Sequence, residues 1–264
     1  MPSKLTERER VLTGHRLKHL AIALGLYPVA RALHRQVHRE ERLAFYRDVA
    51  FYRKLIPRAA LCFDVGANVG AKSEALLFAG ARVVSFEPHP DLWCELRARC
   101  RSPDWTLVPT AVGSAPVLGT FYTKDLSGNS SLDQDWKGSK AASYTVPVFT
   151  LDLAIARWGA PYYCKIDVEG WETQVISGLS ASMPLLSFEY HLAAIDATRG
   201  CLRRLQELGF AEANVTGPEE AAFRWAEWRP IDSLIASPPG SSTGELADPY
   251  GDIYVRPQQG RTFG

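Results

Sequence analysis

The chain lacks several features that whole classes of protein require. Its five cysteines are widely spaced and include no C-x-x-C pair, which argues against a disulfide framework and against a cysteine zinc site. Long apolar runs are also missing. The longest, 20–30, contains Gly25 and Pro28, is too short to cross a bilayer, and is followed by no convincing signal-peptide cleavage site. We therefore expect a cytoplasmic protein.

Net charge is almost absent as well, at +1, but the two parts of the chain differ. Residues 1–58 carry 13 lysines and arginines against 5 acids, whereas residues 59–264 carry 17 against 24. Helical spacing of apolar residues, with a break at 25–28, predicts that 1–58 form a basic helical extension to a domain over 59–264. Such an extension could cover the active site, mediate a homodimer or contact an anionic membrane surface. It lacks the basic and aromatic pattern of an RNA-binding sheet, so no nucleic-acid partner is expected.

Beyond Pro57, short apolar runs alternate with segments of helical spacing. The runs predict strands at 60–64, 82–87, 105–112, 162–167, 185–189 and 252–256, and the helical segments lie at 69–79, 91–100, 171–179 and 193–208. Two further β-type stretches, 121–123 and 144–149, flank a polar loop, and 214–249 shows little periodicity. The alternation predicts an α/β fold with a mostly parallel sheet and helices on both faces.

The segment FDVGANVG, residues 63–70, follows the first predicted strand and opens a helix. Its small residues allow the backbone to turn sharply and to approach a ligand. Glu87 ends the next strand, 17 residues past Gly70. A carboxylate at that place can accept hydrogen bonds from both hydroxyls of a ribose. Together these features predict a nucleoside-cofactor pocket.

The spacing of the loop bears on which cofactor it binds. A dinucleotide fingerprint is G-x-G-x-x-G, whereas this loop is G-x-x-x-G with Asp64 at its entrance. That carboxylate would repel a pyrophosphate and suits a ligand with an ammonium and a sulfonium group, so S-adenosylmethionine fits better than NAD. Taken alone, Asp64 could simply cap the helix. The order and spacing of the loop and Glu87 favour the cofactor site.

Several motifs in order carry a resemblance to a known family. They are FDVGANVG (63–70), VVSFEPHP (83–90), LVPTAVG (107–113), GNSSL (128–132), VPVFTLD (146–152), KIDVEGWE (165–172), SFEYH (187–191) and GDIYV (251–255). The chain resembles the FkbM-type S-adenosylmethionine-dependent methyltransferases, most closely over 61–191. The resemblance implies a class I methyltransferase (Rossmann-like) fold and O-methylation of a small-molecule hydroxyl on a sugar, glycolipid or polyketide, as in natural product biosynthesis.

Matching the motifs residue by residue implies a set of cofactor contacts. Asp64, Gly66, Asn68 and Gly70 would surround the methionine part of the cofactor. Glu87 and the adjoining Pro88 would lie at the ribose, and Thr110, Ala111 and Val112 near the adenine. Ser130 and Ser131 would belong to a lid over cofactor or substrate.

The chemistry is expected at the ends of the fourth and fifth predicted strands. Lys165 and Asp167 share one side of a strand, and Asp167 is the first choice for the group near the acceptor proton, with Lys165 orienting it. Alternatively, Asp167 caps the next helix and Lys165 holds the sheet ends together. Glu189 and His191 likewise share a face, and His191 could act as a general base or bind substrate.

Two questions remain open at this point. Asp167, Glu189 and His191 could hold a divalent metal, although a metal-free site is the simpler interpretation. The leading hypothesis, an O-methyltransferase, competes with a non-catalytic cofactor-binding module that recruits partners through the basic extension. A nucleic-acid methyltransferase is less favoured, because the N-P-P-Y type motif of base-amine methylation is absent from the fourth strand.

Overall fold

A computed structural model describes residues 18, 20–123, 130–132, 142–218, 220–236 and 248–258. The strands are β1 Leu61–Val65, β2 Arg82–Phe86, β3 Trp105–Val108, β4 Ala111–Val112, β5 Val117–Thr123, β6 Ser130–Ser131, β7 Ala142–Phe149, β8 Tyr163–Ile166, β9 Leu185–His191, β10 Glu212–Thr216, β11 Arg229–Pro230 and β12 Tyr250–Arg256. The helices are α1 Tyr27–Val37, α2 Arg39–Leu55, α3 Ala71–Ala79, α4 Trp93–Arg99, α5 Leu151–Trp158, α6 Glu172–Ser177, α7 Ile195–Glu207 and α8 Ile231–Ala236.

Eight strands form the main sheet, in the order β11-β10-β12-β9-β8-β1-β2-β3. The strands from β9 to β3 pair in parallel, whereas β12 and β10 add antiparallel pairs at the other side. The chain runs outward from β1 through β2 to β3, then returns to β8 on the opposite side of β1. Strand order therefore reverses between β1 and β8, which is where ligands bind in open α/β sheets.

Alternation along the strands places side chains in two cores, one on each face of the sheet. Phe63 and Val65 of β1 pack in a core that includes residues of α5, α6, α7 and α8. Cys62 precedes Phe63, so its side chain points to the other face of the sheet, where it packs with Phe45 and Tyr52 of α2 and with residues of α3. Because both faces are covered by helices, the expected α/β architecture with a mostly parallel sheet is confirmed.

The predicted strand 105–112 is instead divided between two sheets. Its first half is β3 of the main sheet, and its second half is β4 of a four-stranded sheet with the order β4-β7-β5-β6. Pro109 lies at the division and has no N–H to continue the ladder, which gives the physical reason for the break. The second sheet contains both predicted β-type stretches, with Phe121 opposite Tyr144.

Regular structure also occurs in 214–249, where the sequence shows little periodicity. Strand β10 lies between β11 and β12, and α8 packs on the sheet through Ile231 and Leu234. Asn214 is buried within β10, so a polar residue interrupts the apolar pattern of an interior strand.

Helix α1 contacts the domain mainly through charged and polar groups, whereas α2 packs on it through the apolar side chains of Phe45, Val49 and Tyr52. Arg31 and Arg35 of α1 donate hydrogen bonds to Glu74 of α3 at 2.6 and 2.7 Å. Tyr27 donates one to Glu95 of α4 at 2.8 Å. The predicted break at 25–28 corresponds to a turn that ends at Leu26, directly before α1 begins at Tyr27, and a second, unpredicted break separates α1 from α2. Across the described ranges, no helix combines the length and apolar character that a membrane crossing needs.

Candidate functional site

A cleft opens at the carboxyl ends of β1, β2 and β8, where the strand order reverses. It encloses about 670 Å³ including its open mouth. Residues expected from the sequence line it in these positions: Gly66 and Asn68 after β1, Glu87 and Pro88 after β2, Thr110, Ala111 and Val112 at β4, and Asp167 after β8.

The glycine loop brings the end of β1 close to the end of β8. Gly66 has a φ of +83°, and a Cβ atom placed on it would lie 1.8 Å from the backbone oxygen of Asp167. The Asp167 N–H donates to the Val65 oxygen at 2.9 Å, so the two chain segments are in direct contact. Gly70, with a φ of +82°, starts α3 and leaves no space for a side chain against Leu96. Both glycines are therefore required by the backbone geometry.

The backbone donors of this loop point to β2. The N–H groups of Gly66 and Ala67 both donate to the Phe86 oxygen, at 3.0 and 3.1 Å. The Asn68 N–H donates to a Glu87 carboxylate oxygen at 2.7 Å. Since these three donors are used within the protein, they do not form a phosphate cradle of the dinucleotide type.

Glu87 is held at the base of the cleft by two backbone bonds. Its other carboxylate oxygen accepts from the His89 N–H at 2.7 Å, and the side chain is only 4% exposed. Burial raises the pKa of Glu87 to about 7, against the lowering effect of the His89 and Asn68 bonds. A carboxylate has about four lone-pair positions. Two backbone bonds therefore leave room for two hydroxyl donors.

The opposite wall of the cleft carries an unsatisfied hydroxyl. Thr110 is buried, and its Oγ1 has no hydrogen-bond partner among the described residues. Ala111 and Val112 beside it are buried apolar residues. A buried polar atom without a partner is costly, and a ligand polar atom would satisfy it. Ser130 and Ser131 form β6, paired with the end of β5, and their side chains lie outside the described set.

Asp64 is placed differently from the other residues of its motif. It is 1% exposed, accepts a hydrogen bond from Ser73 of α3 at 2.5 Å, and is not among the described residues that line the cleft. Burial raises its pKa, while Lys165 and Ser73 act in the opposite direction. Direct contact with a cofactor thus stays a prediction for this residue, and in the structure it joins β1 to α3.

Lys165 and Asp167 form a close ion pair at the end of β8. The ammonium donates to Asp167 Oδ2 at 2.6 Å, and Lys165 is only 2% exposed. Burial lowers the pKa of Lys165, but the carboxylates of Asp167, Asp252 and Asp64 outweigh it and the pKa is raised. Burial raises the pKa of Asp167, and Lys165 outweighs that effect, so the net pKa is lowered. Asp167 therefore stays ionised and is a weak base.

Asp252 is a neighbour of this pair that sequence reasoning missed. It lies on β12 opposite Glu189 of β9 in an antiparallel pair. Burial raises its pKa, and Lys165 opposes the rise. Asp252 belongs to the GDIYV motif, but the motif by itself does not place this residue near Lys165. That placement depends on the pairing of β12 with β9.

Glu189 and His191 form a second pair at the end of β9. His191 Nε2 lies 2.9 Å from Glu189 Oε2, and both side chains are mostly buried. Burial raises the pKa of Glu189, against the hydrogen bond from His191. The carboxylate of Glu169 completes a group whose potential ligand atoms lie within 4.8 Å of one another. The metal set considered from the sequence, Asp167 with Glu189 and His191, stays a prediction, and in the structure Asp167 binds Lys165.

Comparison with known proteins agrees with this architecture. The family model described as the Methyltransferase FkbM domain matches residues 64–211, more than half of the chain. The hexuronic acid methyltransferase AglP of Haloferax volcanii is 26% identical over 130 residues, which are 48% of this chain and 52% of that protein. The chain thus spans about half the length of this curated relative.

Solved structures with a similar arrangement include two methyltransferases. A precorrin-6y C5,15-methyltransferase from Geobacter metallireducens has a TM-score of 0.41 and 14% identity, over 80% of this chain and 86% of that one. A TehB-like S-adenosylmethionine-dependent methyltransferase from Corynebacterium glutamicum has a TM-score of 0.43 and 11% identity, over 88% and 100%. By the match of its family model over residues 64–211, the chain belongs to the FkbM methyltransferase family.

Proposed function

We propose that the chain transfers a methyl group from S-adenosylmethionine to a hydroxyl oxygen of a small molecule, either a sugar moiety or a secondary metabolite. The observation that carries the proposal is the placement of Glu87, a buried carboxylate fixed by two backbone bonds at the base of the cleft. The sugar-directed name of the H. volcanii relative supports a sugar acceptor.

The residues of the cleft fit this methyl donor. Glu87 would accept the two ribose hydroxyls, and the unpartnered Thr110 hydroxyl would meet a polar atom of the adenine beside Val112. Asp167 lies directly after β8 and is ionised, so its negative charge would attract the positively charged methyl donor. When bound, S-adenosylmethionine supplies an electrophilic methyl group on its sulfonium.

An alcohol acceptor must lose its proton as the new bond to carbon forms. Lys165 lowers the pKa of Asp167, which makes Asp167 a positioning group rather than a base. His191 is the better base, because a neutral imidazole accepts a proton near pH 7 and Glu189 stabilises the resulting cation. The site as proposed needs no metal.

Calorimetric titration with S-adenosylmethionine tests the donor assignment. We expect the wild-type protein to bind it and Glu87→Ala to weaken binding at least about tenfold, since two charge-assisted hydrogen bonds are lost. Asp196→Ala, at an exposed position of α7, is the control. Binding of NAD, or no binding of S-adenosylmethionine, would contradict the proposal.

Turnover on an identified hydroxyl acceptor tests the base. His191→Ala should lower kcat by about 10²–10⁴ while leaving the Kd for S-adenosylmethionine unchanged. A chelator should leave wild-type activity intact. Full turnover in the His191 variant would remove this residue from the mechanism.

A further inference from the structure

We infer that His34, His38 and Glu41 form a binding site for a divalent transition-metal cation such as Zn²⁺, and that the bound cation fixes helix α1 to helix α2. The three residues lie at the joint between these helices, and none of them is among the described residues that line the donor cleft. The inference is independent of the proposed methyl transfer.

A single residue, His38, separates the two helices. Helix α1 ends at Val37, α2 begins at Arg39, and His38 has a φ of −92° and a ψ of 84°, outside the helical region. Its N–H still donates to the His34 oxygen at 2.8 Å, so the two histidines keep the i, i+4 spacing of one helical face. Glu41 follows in the first turn of α2. The site therefore takes ligands from both sides of an interrupted helix.

The interruption brings together side chains that a continuous helix would hold apart. Backbone positions 34 and 41 of one straight helix would be about 10.5 Å apart along its axis. In the structure His34 Nδ1 lies 3.3 Å from Glu41 Oε2. The His34 and His38 rings are stacked, with centroids 3.9 Å apart. The potential ligand atoms of all three residues lie within 4.8 Å of one another.

These separations are close to those of a zinc site. Zn²⁺ binds imidazole nitrogen and carboxylate oxygen at about 2.0–2.2 Å, so two ligand atoms of a tetrahedral site are about 3.4 Å apart. Small side-chain rotations reach this geometry, and they are unhindered because the His34 and Glu41 side chains are 51% and 63% exposed. Two imidazoles favour a transition metal over Mg²⁺, which prefers oxygen ligands.

The charges near the joint leave room for a cation. Arg31 and Arg35, on the same helix as His34, bind Glu74 of α3 at 2.6 and 2.7 Å. Their guanidinium groups thus lie at the domain surface and not among the three ligands. Arg39, beside His38, is exposed to solvent, which screens its charge.

Calorimetric titration with Zn²⁺, with the thiols kept reduced, tests the site. Glu41→Gln should weaken Zn²⁺ binding at least about tenfold, because groups that merely support a metal ligand already change affinity by about 10- to 100-fold. Glu40→Gln, at the adjacent exposed position, is the matched control and should bind Zn²⁺ as the wild type does. Mg²⁺ in excess should not compete.

A second group of potential ligands, Glu169, Glu189 and His191, has to be distinguished from the joint. Zn²⁺ binding at the joint should persist in His191→Ala and disappear when His34 and His38 are both replaced by alanine. All of the replaced side chains at the joint belong to exposed residues, so these variants should fold, which circular dichroism checks.

Hydrogen exchange tests whether the cation fixes the two helices. A cation that binds only when both helices supply ligands stabilises that arrangement. Saturating Zn²⁺ should therefore slow amide exchange over 27–41 in the wild type and in Glu40→Gln, and have less effect in Glu41→Gln.

Several results would overturn the inference. They are equal Zn²⁺ affinity of the Glu41 and Glu40 variants, binding that survives the double histidine replacement, loss of binding in His191→Ala, and competition by Mg²⁺. Zn²⁺ that binds at the joint without slowing exchange over 27–41 would overturn the fixing of α1 to α2.

Discussion

Gly66 is the residue on which the junction between β1 and β8 depends. Its backbone is in a left-handed conformation, and the Asp167 oxygen occupies the place of a side chain. A small residue at the end of a first strand is visible in the sequence. The reason for it is visible only when β8 lies beside β1, because the contact joins residues about a hundred positions apart.

Gly66→Ala should destabilise the protein by about 3 kcal/mol or more, because the added methyl group overlaps a backbone oxygen and φ is unfavourable. Chemical denaturation measures this free energy. Gly200→Ala is the control: it lies within α7 with open space around it, and should stabilise the protein by up to about 1 kcal/mol. Equal effects of the two substitutions would refute the steric argument.

Glu87 lies in the structure where its place in the sequence predicts it, at the end of the second strand and in the lining of the cleft. Its position after the second strand predicts a contact with a ribose, and in the structure it lines the cleft with both oxygens held. Its pKa of about 7 could not be predicted, since it comes from burial by neighbouring elements.

Binding of S-adenosylmethionine should become weaker as the pH falls through 7. The Glu87 carboxyl then takes up a proton and loses acceptor capacity, whereas above pH 7 it is ionised. For a single group of this pKa, Kd should be about tenfold higher at pH 6 than at pH 8. Calorimetry at several pH values measures the profile. Glu87→Gln should flatten it, and an unchanged profile in that variant would assign the dependence to another group.

Helix α1 illustrates how an element can be predicted while its orientation is not. The sequence predicts a basic helical extension. In the structure Arg31 and Arg35 face the domain and bind Glu74, whereas Val29, Leu33 and Val37 are exposed. Periodicity identifies two faces but does not say which one is covered, because that depends on the surface that the helix meets.

Glu74→Gln should destabilise the protein by about 2 kcal/mol, since it leaves two partly buried arginines without their carboxylate. Hydrogen exchange should show faster opening of α1 than of the central strands. Glu207→Gln removes an exposed ion pair with Arg204 and should cost less than about 1 kcal/mol. If both variants unfold at the same denaturant concentration, the ionic contact does not hold α1.

At the level of the whole molecule, the exposed apolar side of α1 supports the proposal of a homodimer through the N-terminal helices. Leu33 is 57% exposed and Val37 79% exposed, and both lie on one side of the helix. Contiguous exposed apolar surface of this kind is typical of association sites. The alternative, contact with an anionic membrane surface, has less support because Arg31 and Arg35 are engaged by Glu74.

Sedimentation measurements should therefore find a dimer at micromolar concentration. Leu33→Glu should shift the protein to a monomer, because a charge would be buried at the interface. Leu118→Glu is the matched control, since Leu118 is an exposed leucine of β5 in the second sheet. A monomeric wild-type protein, or a dimer that persists in the Leu33 variant, would contradict the proposal.

The sequence by itself determined the family, the α/β class and the residues at the carboxyl ends of successive strands. These follow from local patterns: period 2 in strands, period 3.6 in helices, and short motifs at their junctions. The tertiary structure alone decided which of those residues meet. It set Asp252 beside Lys165, Glu169 beside Glu189 and His191, and the arginines of α1 against Glu74. Burial and pairing depend on elements that are distant in sequence, so the pKa values and partners of these groups could be read only from the folded chain.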